Sequence, residues 1–162
     1  MKLKVIVSLS IFFMVLVASI SYGVKFTVEA NSDGWTGTVY IRADGSIDPS
    51  DAPIQRDGNL YILTGNIISS TDGIVVERDN IVIDGAGHML QGTGSGTGVD
   101  FSGRSNVTIK NITIAKFHTG ICLYSSSNNS ISGNNITDNV YGISLLSSSN
   151  VHVRLDTSLP GP

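Results

Sequence analysis

Residues 106–127 read NVTIKNITIAKFHTGICLYSSS, and residues 128–149 read NNSISGNNITDNVYGISLLSSS. The two segments have equal length and repeat almost position for position. Ile109 recurs as Ile131, Ile114 as Ile136, Gly120 as Gly142, Ile121 as Ile143 and Leu123 as Leu145, and the SSSN corner returns whole. A fixed period of this kind marks a solenoid, in which each repeat buries its apolar side only by stacking on the next. Upstream, Asn59, Asn80, Asn106, Asn128 and Asn150 fall in the same place, at spacings of 21, 26, 22 and 22 residues, so that each opens one coil.

Within a coil the apolar residues alternate over short stretches. Leu60 and Ile62 are matched by Ile81 and Ile83, Val107 and Ile109, and Val151 and Val153, which predicts a short strand with its apolar side inward. A second inward position falls at Ile67, Ile114 and Ile136. A third strand carries Ile74 and Val76, Val99 and Phe101, Ile121 and Leu123, and Ile143 and Leu145. Three short strands per turn, bent at Gly, Asn and Ser, predict an all-β chain wound as a parallel β-helix of about four coils over residues 59–153. A helical solenoid is disfavoured by the β-branched runs and the density of Gly, Asn, Ser and Thr. Gly73, Gly98, Gly120 and Gly142 precede the third strand, where a side chain is expected to obstruct the corner. Asn80, Asn106, Asn128 and Asn150 are expected to form a ladder, because Asn tolerates left-handed corners and amides one coil apart can hydrogen-bond along the axis.

The flanking regions depart from the repeat. Residues 24–58 are rich in turn formers and read as an N-terminal cap over the first coil, with Trp35 filling it or, alternatively, stacking on a sugar ring. The second coil is four residues longer than its neighbours, and the extra length is expected in HMLQGTGSGTG, residues 88–98, as a Gly-rich loop. Lys-Ser or Lys-Thr does not follow that loop, so it is no phosphate loop. Residues 154–162 read as an irregular tail. It has no strand to cover the last coil, which points to a folded-back tail, a stacking partner or further C-terminal coils.

Residues 1–23 combine Lys2 and Lys4, an apolar run and small residues at Ser19, Ser21 and Gly23, the pattern of a signal peptide. The competing expectation is a membrane anchor, since residues 5–24 would reach roughly 30 Å as a helix. Either way the protein is expected to be secreted or held at the cell surface. Removing the leader takes the formal charge from −3 to −5, with 8 basic against 13 acidic residues. A basic run is absent, so nucleic acid is not an expected partner. Cys122 is the single cysteine and excludes an internal disulfide.

The run IVIDGAGHMLQG, followed by NVTIKNITI and two coils ending SSSN, resembles the NosD-like right-handed parallel β-helix repeat proteins, a carbohydrate-binding and sugar-hydrolase repeat group. The segment VYIRADGSIDPSDAPIQRDGNLYILTGNI resembles the lead-in of large exported β-helix proteins found mainly in archaea. The resemblance implies a pectin-lyase-like solenoid. It leaves the activity open, because that fold hosts lyases, hydrolases, binding modules and copper-enzyme maturation factors.

Each of those chemistries asks for particular residues. A lyase or hydrolase needs carboxylates clustered on neighbouring coils, to hold calcium or to serve as acid and base. The outward positions of the third strand are Val75, Asp100, Cys122 and Ser144, which supply one carboxylate, and Asp79, Asp84 and Asp100 are the remaining candidates near the Gly-rich loop. Copper handling would draw on His88, Met89, His118, Cys122 and His152, whose spacing does not converge. Catalytic, cofactor and metal residues are therefore not assigned. Sequons begin at Asn106, Asn111, Asn128 and Asn135, with Asn111 and Asn135 the candidates for glycosylation because the other two belong to the ladder. The expected function is an exported, noncatalytic β-helix module, structural or binding a polysaccharide or surface glycan. Polar rows such as Thr108, Ser130 and Asn135 would supply hydrogen bonds, and Tyr124 or Tyr141 would supply stacking. The alternatives are a fragment of a carbohydrate-active enzyme and a NosD-like copper-enzyme maturation factor.

Overall fold

Four corners per coil set the course of the chain. In a computed structural model describing residues 34–155, the corners at Asn106, Asn111, Lys116 and Ser125 have φ of 56, 54, 60 and 51°. Their counterparts 22 residues later, Asn128, Gly133, Asp138 and Ser147, have φ of 55, 62, 54 and 54°. Left-handed backbone costs an ordinary L residue free energy and is easiest for Gly, Asn and Asp, which is why these types punctuate the repeat. The expected leader over residues 1–23 lies outside the described residues, as does the tail beyond residue 155.

Between corners the chain runs in short strands. The first are β1 (Trp35–Thr36), β2 (Val39–Ile41), β3 (Ile47–Asp48) and β4 (Ile54–Asp57). The first full coil holds β5 (Leu60–Leu63), β6 (Ile67–Ile68) and β7 (Ile74–Val76), and the second β8 (Val82–Asp84), β9 (Met89–Gln91) and β10 (Thr97–Asp100). The third holds β11 (Thr108–Lys110), β12 (Thr113–Ala115) and β13 (Thr119–Tyr124). In the fourth, β14 (Ser130–Thr137) continues through the Gly133 corner and serves two faces, and β15 (Tyr141–Leu146) follows. A further strand, β16 (His152–Leu155), lies parallel on β14. The first face thus stacks β5, β8, β11, β14 and β16, the second β1, β6, β9, β12 and β14, and the third β2, β7, β10, β13 and β15, all parallel.

The interior is a set of apolar columns. On the third face Ile74, Val99 and Ile121 are fully buried, as are Phe101 and Leu123 beside them. On the second, Ile67, Leu90 and Ile114 stack in register and are fully buried. Burying an aliphatic or aromatic side chain contributes about 1.5–3 kcal/mol, so the repetition of these columns, rather than any single contact, holds the coil together.

Register corrects three expectations. Asn59 does not open the first coil: Leu60 pairs with Val82, so the counterpart of Asn80 is Gly58, which has the same φ of 59°. Tyr61 and Leu63, not Leu60 and Ile62, therefore point inward there, and both are fully buried. The phenolic hydroxyl of Tyr61 is satisfied by donating to the carbonyl of Gly45 at 2.9 Å. The extra length of the second coil is divided between two corners. Offsets to the third coil fall from 26 residues at Asp84 to 24 at Met89 and then to 22 at Thr97. Half of it thus lies between Asp84 and Met89, ahead of the glycine-rich loop. Finally, parallel pairing begins upstream of residue 59, with Trp35 opposite Ile67 and Val39 opposite Ile74. The cap segment is a partial coil whose outer edges carry antiparallel strands, β3 on β2 and β4 on β5. Trp35 packs against the core, with its indole N–H donating to Asp51.

Candidate functional site

The third face gathers most of the exposed chemistry. Its outward positions are aligned across coils by register: Tyr40, Val75, Asp100, Cys122 and Ser144 form one row. Thr97, Thr119 and Tyr141 form a second row on one side of it. On the other side, at the ends of the strands, stand Ser102, Tyr124 and Leu146, with Tyr124 opposite Leu146.

Between the first and second coils an open groove of about 300 Å³ is lined by Val75, Val76, Glu77, Asp100, Ser102 and Arg104. Its charges are largely engaged. The Asp100 carboxylate accepts the Ser102 N–H and hydroxyl at 2.9 and 2.6 Å. Glu77 accepts Arg42 at 2.9 Å, and Arg42 also pairs with Asp48. Arg104 donates to the Glu77 carbonyl at 3.2 Å and lies 4.0 Å from Asp79. The fourth-coil side of the face is aromatic. Tyr124 and Tyr141 are 53% and 58% exposed, and the His118 ring meets Tyr141 edge-on at 5.3 Å between centroids.

The remaining candidates are dispersed. Asp84 faces outward on the first face, bound by Lys110, Asn111 and the Ala86 N–H. Asp79 caps the Ser105 N–H at 2.9 Å. The three aspartates therefore do not converge. His118 and Cys122 belong to the third face, His152 pairs across from Ser130 on the first, and Met89 shares a row with Thr113 and Asn135 on the second. Among the described residues no three His, Cys, Asp or Glu side chains are grouped to hold a metal ion. Thr108 and Ser130 share a first-face row, whereas Asn135 stands on the second, so the expected polar row does not lie beside the tyrosines. Asn111 and Asn135 are both exposed; Asn111 sits at a left-handed corner and Asn135 within β14.

The structural candidates have distinct geometries. Asn106 donates to Asn80 at 2.9 Å and Asn150 to Asn128 at 3.2 Å, so the ladder bonds in two pairs. Gly73, Gly98, Gly120 and Gly142 do not have left-handed backbone. What excludes a side chain is close approach: a Cβ on Gly73, Gly98 or Gly120 would fall 2.5 Å from the carbonyl oxygen of the next glycine in the column.

A set that the sequence reading missed lies one residue beyond each corner. Asn129, Asn134 and Asn139 each accept, through the side-chain oxygen, the backbone N–H 22 residues earlier, at 2.8, 3.2 and 2.8 Å. Each also donates to the carbonyl 25 residues earlier, at 3.1, 2.9 and 2.9 Å. Ser148 does the same with the Ser126 N–H and the Leu123 carbonyl. The signal was present, since these asparagines replace Val107, Ile112 and Phe117 of the preceding repeat.

A solenoid of parallel rungs with left-handed corners and stacked apolar columns defines the class. The family described as a right handed beta helix region matches residues 54–155, and the chain belongs to that family. No curated protein and no solved structure matches it.

Proposed function

We propose that the chain is an exported, noncatalytic β-helix module that binds surface glycan across the third face. The observation that carries this is the pair of exposed rings, Tyr124 and Tyr141, on either side of the polar row that includes Cys122 and Ser144. Exposed tyrosines offer flat apolar surface with a polar rim, suited to the C–H faces of sugar rings, and the neighbouring hydroxyls supply hydrogen bonds. The groove beside Asp100 and Ser102 extends the surface toward the second coil. The NosD-like resemblance, with its carbohydrate-binding grouping, supports the same ligand class. The signal-like leader supports export. The carboxylates support a binding rather than a catalytic reading, since Asp100 is the one carboxylate in its row and accepts two hydrogen bonds from Ser102.

Affinity electrophoresis through gels containing a panel of neutral and acidic polysaccharides tests the proposal. Retardation by one class, lost in Tyr124→Ala and Tyr141→Ala with unchanged melts, is the expected result. Absence of retardation across the panel, or retardation indifferent to both substitutions, would overturn it. Cleavage of a polymer in the same panel would favour the enzyme alternative.

A further inference from the structure

Two arginines near the first coils are answered by carboxylates: Arg42 pairs with Asp48 and Glu77, and Arg104 lies 4.0 Å from Asp79. Arg56, on β4, and Arg78, between β7 and the Asn80 corner, form no ion pair among the described residues. The fold nevertheless brings these two together. A Cβ on Gly45, in the turn between β2 and β3, would fall 2.5 Å from Cζ and 2.6 Å from Nη1 of Arg56, and would also collide with Nη1 of Arg78. The two guanidinium groups thus meet over one point, although their charges repel.

Their meeting place is anchored on several sides. Gly45 is buried, with φ of 88°, and its carbonyl accepts the buried Tyr61 hydroxyl at 2.9 Å, which ties the turn to the core. The missing side chain lets both arginines lie down on the turn. Each is also held from behind by the corner that opens the first coil. Arg56 Nε donates to the Gly58 carbonyl at 2.8 Å, and Arg78 Nη2 donates to the Asn59 side-chain oxygen at 3.1 Å. A guanidinium carries five N–H donors, and the others on both residues have no acceptor among the described residues. Asp44 is near enough to feel the charge of Arg56 but is turned to Ser46, whose N–H and hydroxyl it accepts at 2.9 and 2.7 Å.

We infer that Arg56 and Arg78 form a binding site for a tetrahedral oxyanion, phosphate or sulfate. Two positive charges side by side are balanced by a dianion, and its oxygens reach N–H groups of both guanidinium planes at once. A carboxylate carries one charge and two oxygens, and a single guanidinium fork satisfies it. The site stands beside the first coil, whereas Tyr124 and Tyr141 belong to the third and fourth, so it is separate from the proposed glycan face and does not rest on it. Phosphate reaches it as the free ion or as a monoester on a larger molecule, and the chemistry that recognises the two is the same.

Isothermal titration of the full chain with inorganic phosphate, sulfate and acetate at constant ionic strength tests the inference. Saturable binding of phosphate and sulfate is expected, about tenfold or more tighter than that of acetate. Arg56→Gln and Arg78→Gln are each expected to weaken it about tenfold or more, whereas Arg154→Gln, at an exposed arginine on β16, is expected to leave it unchanged. Lowering the pH from about 8 to about 6 is expected to weaken phosphate, which takes up a proton, and not sulfate, which does not. Absence of saturable binding by phosphate and sulfate, acetate binding as tightly as either, or binding indifferent to both substitutions at the site would each overturn the inference. The comparison of anions uses the unaltered chain, so it decides the matter even where a variant fails to fold. A sugar phosphate monoester that binds more tightly than free phosphate would place the anion on a larger ligand, and one that binds more weakly would assign the free ion; either result supports the site.

Discussion

The side-chain oxygen of Asn134 accepts the backbone N–H of Ile112, one coil earlier, at 3.2 Å, while its amide nitrogen donates to the carbonyl of Ile109 at 2.9 Å. Asn134 is 9% exposed and Ile112 1%. The N–H of Ile112 follows a left-handed residue, Asn111, and accordingly turns out of the regular ladder. Burying it without an acceptor would be costly, and the amide one coil later supplies one. Asn134→Ala removes a donor and an acceptor together and is expected to destabilise the fold by about 1–3 kcal/mol, more than an exposed asparagine would. Urea unfolding of the two proteins under identical conditions measures the difference.

The period of the fold was legible because the inward residues of the third and fourth coils match in type: Ile109 with Ile131, Ile114 with Ile136, Ile121 with Ile143. The first coil was misread by one residue because Gly58 fills the corner that asparagine fills elsewhere, and Asn59 beside it imitates the motif. Tyr61 added to the error, since a tyrosine with a buried hydroxyl partner looks like a surface residue in sequence. The corner staples escaped for a related reason. A change from Val107 to Asn129 reads as a loss of core, and only the coil geometry shows that the amide enters the interior to satisfy backbone groups. On the third face the outward row of Val75, Asp100, Cys122 and Ser144 was legible from alternation alone. The grouping of Tyr124 and Tyr141 with that row required the register.

The exposed asparagines at the coil starts combine two roles that substitution can separate. Asn128 has φ of 55° and accepts from Asn150 at 3.2 Å. Asn128→Ala keeps neither the backbone tolerance nor the bond and is expected to cost about 1–2 kcal/mol. Asn128→Gly keeps the tolerance and loses only the bond, as Gly58 does at the same corner, and is expected to cost a few tenths of a kcal/mol at most. Thermal melts of the pair distinguish them. Equal losses would assign the stabilisation to the amide ladder instead.

Close approach of successive coils makes the middle of the glycine column intolerant. A Cβ on Gly98 would stand 2.5 Å from both the Gly120 carbonyl oxygen and Ile114 Cγ2. Both neighbours belong to the packed stack, so the coils must separate locally, at a cost of about 1–3 kcal/mol or more. Gly98→Ala is therefore expected to lower the urea midpoint clearly. An alanine at Gly87, where nothing lies within 4 Å of the added carbon, meets only the backbone strain of a φ of 82° and serves as the comparison.

Asp84 links stability to acid. Burial pushes its carboxyl upward, but the Ala86 N–H at 2.9 Å, Lys110 at 3.0 Å and Asn111 at 3.2 Å more than reverse this and hold it below the ordinary value of 3.8. A carboxyl with a depressed value in the folded state binds protons more readily when unfolded, so its contribution is fully present above the ordinary value. That contribution disappears as pH falls through the lower folded value. Asp84→Asn removes the titrating group while keeping an acceptor of similar shape. The stability difference between parent and variant is thus expected to stay level from about pH 7 to 5 and to narrow below about pH 4. Urea unfolding at a series of pH values measures that difference directly. A difference that stays constant through the acid range would mean that the bonds to Lys110, Asn111 and the Ala86 N–H do not favour the ionised form.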